Sequence, residues 1–311
     1  MATKFEGLDN DQITATTTIE TLETTEQPKQ ERTPTDSSKI TVQVTDKNVP
    51  IILLFGAQAS GKTMTLVRLA DYLQKRGFKI SVDPLFVNRT EVWEYGESTD
   101  NFNTMLGTRI ALPGTDYNDF LFIKVCDNQG TLICQILEGA GEDYFPKNGG
   151  QNRVAKPFPS YMTTVFNSGN KKVWIFITEP NWSVSQSEKN DYVRRIDYCK
   201  SQYINLAMDK SIILYNKVDQ TAFGIGKGVV NVENAWNACN NEYPGLFNIF
   251  RNTSPLPWAA KYTCKFVPFS TGSYGVPNKT NEVPYTASAD AYPERLWKTI
   301  MECIKPSLFG W

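Results

Sequence analysis

The sequence predicts an α/β fold built round a mainly parallel sheet. Three observations carry that reading. From residue 50 onward apolar runs alternate with segments of helical spacing. The first run, 51-IILLF-55, is apolar throughout, and it opens straight into a glycine-rich turn followed by a helix pattern. A short run with no polar position reads as a strand covered on both faces, which is where a central parallel strand lies.

The elements follow in order. Helical spacing over 63-TMTLVRLADYLQKRG-77 closes on a glycine stop, and 78-FKISV-82 reads as a short strand. Residues 83–116 show no clear period and read as an irregular insertion in which Trp93 and Tyr95 are possible anchors. Two apolar runs within 119–139 flank Asn128-Gln129-Gly130 and read as a hairpin. Polar, glycine-rich sequence fills 139–160. Strand 172–178, a helix over 185–208, strand 211–216, a helix over 232–242, strand 263–269 and a helix over 291–305 complete a three-layer domain spanning 49–311. The expected sheet has six strands, mostly parallel, with the hairpin strand antiparallel.

Residues 1–48 differ in texture. Twelve are Thr, Phe5 alone is aromatic, and nine acidic residues face five basic ones. Such a segment buries too little apolar surface to offset its ordering entropy, so it reads as a disordered tail, with a possible short strand at 40–44. A tether or phosphoacceptor role and a passive solvated extension both remain open for it.

The 311 residues include 32 Lys+Arg, 33 Asp+Glu and no His. The missing histidine excludes Ser/His/Asp and Cys/His nucleophiles, His-ligated zinc and any His general base. Balanced, interspersed charge gives no footprint for nucleic acid. The six cysteines lack C-x-x-C spacing and several sit in apolar runs, as small buried hydrophobes do in a reducing compartment. No leader-like segment opens the chain, and no apolar stretch is long enough to insert in a bilayer, so a cytoplasmic protein is expected.

The strongest local signal is 56-GAQASGKT-63, which satisfies G-x-x-x-x-G-K-[ST] between a buried strand and a helix. Gly56 and Gly61 let the backbone curl so that the amides of Ala59, Ser60, Gly61, Lys62, Thr63 and Met64 face phosphate. Lys62 is expected on the β- and γ-phosphates and the Thr63 hydroxyl on Mg²⁺. A second signal, Asn216-Lys217-Val218-Asp219, follows a strand. The Asp219 carboxylate can accept from both N1–H and the 2-amino group of guanine, donors that adenine lacks there. Lys217 would lay its stem on the base plane, while the Asn216 amide ties the loop and can reach N7.

On these two motifs the chain resembles a Ras-like P-loop GTPase of the translation-factor-related class. The resemblance implies a D-x-x-G turn after the hairpin, matched here by Glu138-Gly139-Ala140-Gly141. Glu138 then stands where the family has a metal-facing aspartate, and Gly141 gives its amide to the γ-phosphate. Glu142 takes the place of a water-orienting glutamine and cannot donate an N–H, which implies slow hydrolysis. Thr115, with Thr108 as runner-up, is the expected second Mg²⁺ hydroxyl. Ser270-Thr271-Gly272 is either the base-contacting loop or a plain β-turn. Arg153 and Arg89 are candidates for a cis-acting arginine. Trp174, Trp182 and Tyr192 suit either the core or a partner surface.

The resemblance implies Mg²⁺-dependent GTP binding, slow hydrolysis to GDP, and a conformational switch in 100–118 and 139–160 that an unidentified protein effector or regulator reads. Direct membrane insertion and nucleic-acid binding are not expected. A non-hydrolysing GTP-binding scaffold and a P-loop ATPase or kinase are the alternatives.

Overall fold

The computed structural model describes residues 40–87, 92–108, 110–111, 120–146, 153–224, 228–252, 261–277 and 283–305. Strand β1 (Ile51–Phe55) is buried at every position and leads into helix α1 (Lys62–Gln74). Next come β2 (Lys79–Val82), α2 (Trp93–Thr108) and β3 (Ile110–Ala111), then the hairpin β4 (Phe120–Cys126) and β5 (Leu132–Gly139). One turn of helix, α3 (Gly141–Tyr144), precedes α4 (Ser160–Phe166), β6 (Lys172–Thr178), α5 (Gln186–Tyr203) and β7 (Lys210–Tyr215). The chain continues through a 3₁₀ turn at Val218–Gln220, α6 (Val232–Glu242), α7 (Leu246–Ile249), β8 (Cys264–Pro268), β9 (Gly272–Tyr274), β10 (Val283–Ala287) and α8 (Ala291–Ile304).

Among the described residues, seven strands form one sheet in the order β2-β4-β5-β1-β6-β7-β8. Strands β5, β1, β6, β7 and β8 pair in parallel, while β4 is antiparallel to both of its neighbours. The expected six strands become seven because β2 adds to the open edge of the hairpin. A second, three-stranded antiparallel sheet, β3-β10-β9, was not expected; β3 is distant in sequence from the other two, and β3 and β9 are very short.

The sheet follows from sequence chemistry. Helices and aromatic side chains cover β1 and β6, so these strands carry no exposed position. Phe55 packs on Tyr144, Phe158, Phe176 and Tyr192, an aromatic knot directly beneath the turn that follows β1. Each such side chain contributes about 1.5–3 kcal/mol on burial. The hairpin turns at Gly130, with φ +88°, and the Asp127 carboxylate accepts from the amides of Gln129 and Thr131. Helix α5 starts on a capping box between Ser185 and Glu188 and ends at Tyr203, short of the expected residue 208.

Two expectations need correction. The insertion at 83–116 is not irregular throughout. Residues 93–108 form α2, with Phe102 and Met105 buried and the Tyr95 hydroxyl donating to the Asp83 carbonyl at 2.7 Å. Residues 40–48 do not behave as tail. Ile40 is buried, the Gln43 amide donates to the Phe86 carbonyl, Asp46 pairs with Lys124, and the Asn170 amide bonds the carbonyls of Asp46 and Val49. Their polar composition hid this role, because the contacts run mainly through backbone groups. Residues 1–39 lie outside the described residues.

Candidate nucleotide site

Parallel pairing brings the C-terminal ends of β1, β5, β6 and β7 to one edge of the sheet, where ligands of open α/β folds bind. Leu54 sits opposite Glu138 and Phe55 opposite Phe176, so the end of β5 stands beside the glycine-rich turn.

In that turn Gly61, at φ +86°, caps α1, and its carbonyl accepts from the Thr65 amide. A side chain at Gly61 would run into the Asn216 amide, and one at Gly56 would run into Ser60. Lys62 is buried and its ammonium donates to the Ala57 carbonyl across the loop at 3.2 Å. Burial pushes its pKa down, against the pull of Glu138, Glu142 and Asp143. The Thr63 hydroxyl donates to Glu138 Oε1 at 3.0 Å. Gln58 Oε1 and Ser60 Oγ are buried with no hydrogen-bond partner among the described residues, a cost that a ligand with donors or water would offset.

The Asn216-Lys217-Val218-Asp219 loop is bolted to this turn. The buried Asn216 amide donates to the Ser60 carbonyl at 2.9 Å, and its own oxygen accepts from the Lys217 amide. The Lys217 ammonium donates to the Ala59 carbonyl at 3.0 Å and pairs with Glu179 at the end of β6. Burial pushes the Glu179 carboxyl up, and Lys217 counters it. Three non-glycine residues have positive φ among the described residues, and Ala59 and Lys217, now joined by a hydrogen bond, are two of them. Backbone held this way costs about 1–3 kcal/mol per residue and gathers at ligand-binding positions.

Asp219 lies exposed on the 3₁₀ turn. The Val218 amide donates to the Phe269 carbonyl, which sets that turn against Ser270 and Thr271. These two are buried and held from behind: Ser288 donates its hydroxyl to the Ser270 carbonyl and its amide to the Thr271 carbonyl. The buried Arg68 of α1 in turn bonds the Ser288 carbonyl and Asp290.

On the other flank Gly141 touches the turn so closely that a Cβ there would overlap the Gln58 backbone. Glu142 is buried, and its Oε2 lacks a partner among the described residues. Burial pushes the Asp143 carboxyl up, despite a 2.7 Å bond from the Tyr161 hydroxyl. Arg195, fully buried in α5, donates to the carbonyls of Tyr144, Val154 and Lys156 and lies 3.8 Å above the Phe158 ring. Burial pushes its guanidinium down to about 10.

The structure therefore gathers Gly56, Ala59, Ser60, Gly61, Lys62, Thr63, Glu138, Gly141, Glu142, Asn216 and Lys217 round one turn, with Met64 in the first turn of α1. Asp219, Ser270 and Thr271 form a second group joined to it through Asn216. Thr115 and Arg89 lie outside the described residues. Thr108 ends α2 with its hydroxyl on the Thr104 carbonyl, so residues 100–108 are helix and not switch loop. Arg153 points away from phosphate duty: it pairs with Asp191 and Glu188 and stacks on Phe145. Trp174 and Tyr192 are buried and Trp182 packs against the core, which favours packing over a partner surface. Sequence reasoning missed Glu179 and Arg195, since a lone Glu after a strand and an Arg within a helix usually face water.

For a metal the hydroxyl of Thr63 and the carboxylate of Glu138 offer two hard oxygens of the kind Mg²⁺ takes, with phosphate and water expected to supply the rest. Among the described residues there is no group of three or more Cys, Asp or Glu able to hold a metal unaided.

The strand order, the glycine-rich turn after β1 and the second motif after β7 define an open α/β fold with a mostly parallel central sheet. Solved structures similar to the chain include a nucleolar GTP-binding protein 1 from Plasmodium falciparum, at 12% identity over 85% of this chain and 90% of that one, with a TM-score of 0.39. Another is the Ski7 GTPase-like domain of S. cerevisiae bound to GDP and inorganic phosphate, at 15% identity over 84% of this chain and 51% of that one, with a TM-score of 0.41. No protein-family model and no curated protein sequence matches the chain. No helix among the described residues is long and apolar enough to cross a membrane.

Proposed function

We propose that the chain binds GTP and GDP with Mg²⁺, hydrolyses GTP slowly, and works as a conformational switch. The observation that carries this reading is the pair of bonds from Asn216 to Ser60 and from Lys217 to Ala59, which join a guanine-selective motif to a phosphate-binding turn. A coincidental N-K-V-D turn would have no reason to hold two P-loop carbonyls.

In this reading the amides from Ala59 to Met64 and the Lys62 ammonium hold the phosphates. Thr63 and Glu138 hold Mg²⁺, which when bound neutralises charge on the β- and γ-phosphates. Thr115 is the proposed second hydroxyl, on the resemblance alone. The Gly141 amide meets the γ-phosphate, and Glu142 accepts a hydrogen bond from the attacking water while supplying no donor to the developing charge, which keeps turnover slow. Asp219 pairs with N1–H and the 2-amino group of guanine, with Ser270 and Thr271 beside it. A protein effector or regulator would read segment 139–160. Six free thiols suit a reducing cytoplasm.

Glu142 Oε2, buried without a partner among the described residues, favours one second reading, a GTP-binding scaffold with no turnover. Equilibrium binding should place GDP ahead of ADP by about 10³-fold or more. Asp219→Asn should shift preference to xanthosine nucleotides, whose 2-oxo group accepts where guanine donates. Equal binding of ADP would overturn the base reading. Single-turnover hydrolysis, with Lys62→Ala as control, separates the enzyme from the scaffold.

A further inference from the structure

The second sheet has no part in the phosphate site, yet its strand β9 begins immediately after Ser270 and Thr271. Its first residue, Gly272, has φ +137°, and a side chain there would strike the Thr286 carbonyl of β10, so this position presents no side chain to the site. Two residues on, Tyr274 pairs with Tyr285 and lies on the same face of the strand as Gly272. It is 47% exposed, a large apolar surface left open beside a proposed ligand site.

The ring is nevertheless held in place. Its hydroxyl is 3.3 Å from Thr271 Oγ1, and its centroid lies 5.6 Å from that of Tyr285, whose hydroxyl bonds the Thr271 carbonyl. The charge of Asp219 reaches both Tyr274 and Tyr292 and adds to the upward shift that burial gives each phenol. Tyr292 is buried against Phe269 and has no face to offer. Tyr274 combines a fixed orientation with an open face at the base end of the site.

We propose that the Tyr274 ring packs against the purine of the bound nucleotide, as an aromatic contact beside the Asp219 carboxylate. The proposal rests on the guanine-nucleotide reading above. Packing of an aromatic side chain on a base is tolerant of base identity, so Tyr274 would strengthen binding of any purine while Asp219 selects guanine.

The test compares GDP with inorganic tripolyphosphate, which occupies a phosphate cradle but carries no base, on the full chain and on Tyr274→Leu and Tyr274→Phe. Tyr274→Leu should bind GDP about tenfold more weakly and tripolyphosphate as the parent does. Tyr274→Phe keeps the ring without the Thr271 bond and should restore most of the GDP affinity. Unchanged GDP binding in Tyr274→Leu, or equal weakening toward both ligands, overturns the contact and leaves the guanine reading standing. A parent chain that binds tripolyphosphate and not GDP overturns the guanine reading together with this one.

Discussion

On the proposed purine side of the site Asn216, Lys217 and Glu179 hold one another and the glycine-rich turn through short bonds in which each charged head has a partner. The proposed γ-phosphate side is built differently. There Glu142 Oε2 and one Arg195 nitrogen are buried without a partner among the described residues, and Asp143 is held in a setting that opposes its charge. Satisfied polar networks rigidify, whereas half-satisfied ones are high in energy and ready to rearrange. The contrast is the one the proposed switch would call for, a fixed base loop beside a γ-phosphate flank free to rearrange.

Three substitutions probe that contrast. Arg195→Met removes donors to three backbone carbonyls and leaves them buried, so a loss on the order of 3 kcal/mol is expected. Thermal unfolding should show a fall of about 6–12 °C. An unchanged Tm would mean that Tyr144, Val154 and Lys156 are not clamped by this guanidinium. Asn216→Ala strands the Ser60 carbonyl and should cost about 1–3 kcal/mol, with nucleotide leaving about tenfold faster or more. If GDP dissociates from that variant as it does from the parent, the two halves of the site are not coupled through Asn216.

The smallest effect concerns Asp143. Its folded-state pKa is raised, so the folded chain holds that proton more firmly than the unfolded chain does. The resulting stability is present at acid pH and is lost as pH rises through the folded value. Asp143→Asn keeps an acceptor for Tyr161 without the charge, so its Tm should exceed that of the parent at pH 7, with the gap closing toward pH 4. A gap that is constant with pH would remove Asp143 ionisation as a source of tension.

Both motifs and the hairpin were legible in the sequence because local chemistry fixes them. A glycine turn after an all-apolar run, and a Gly-containing turn between two apolar runs, have few alternative structures. Helix α2 was not legible: Gly96, Gly107, Asn101, Asn103 and three threonines dilute its period, and tertiary burial of Tyr95, Phe102 and Met105 overrides weak propensity. In the β3-β10-β9 sheet β3 joins β10 across more than a hundred residues, for which no local pattern exists, and β9 is only three residues long. Of the site, the residues proposed to touch phosphate and base follow recognisable spacing. The residues that hold them, Glu179, Arg195 and Ser288, carry no spacing signal, because their roles arise only once distant strands are side by side.

Arg68 spans from the helix behind the phosphate turn to Ser288, and Ser288 in turn grips the Ser270–Thr271 carbonyls, while Asn216 makes the shorter crossing in front. Two struts thus brace the same gap, so in the proposed site the separation between the anionic and aromatic ends of the nucleotide would be dictated by the scaffold. On that reading the site is a caliper with its jaws welded: a compound whose two ends do not match the opening would satisfy one jaw only.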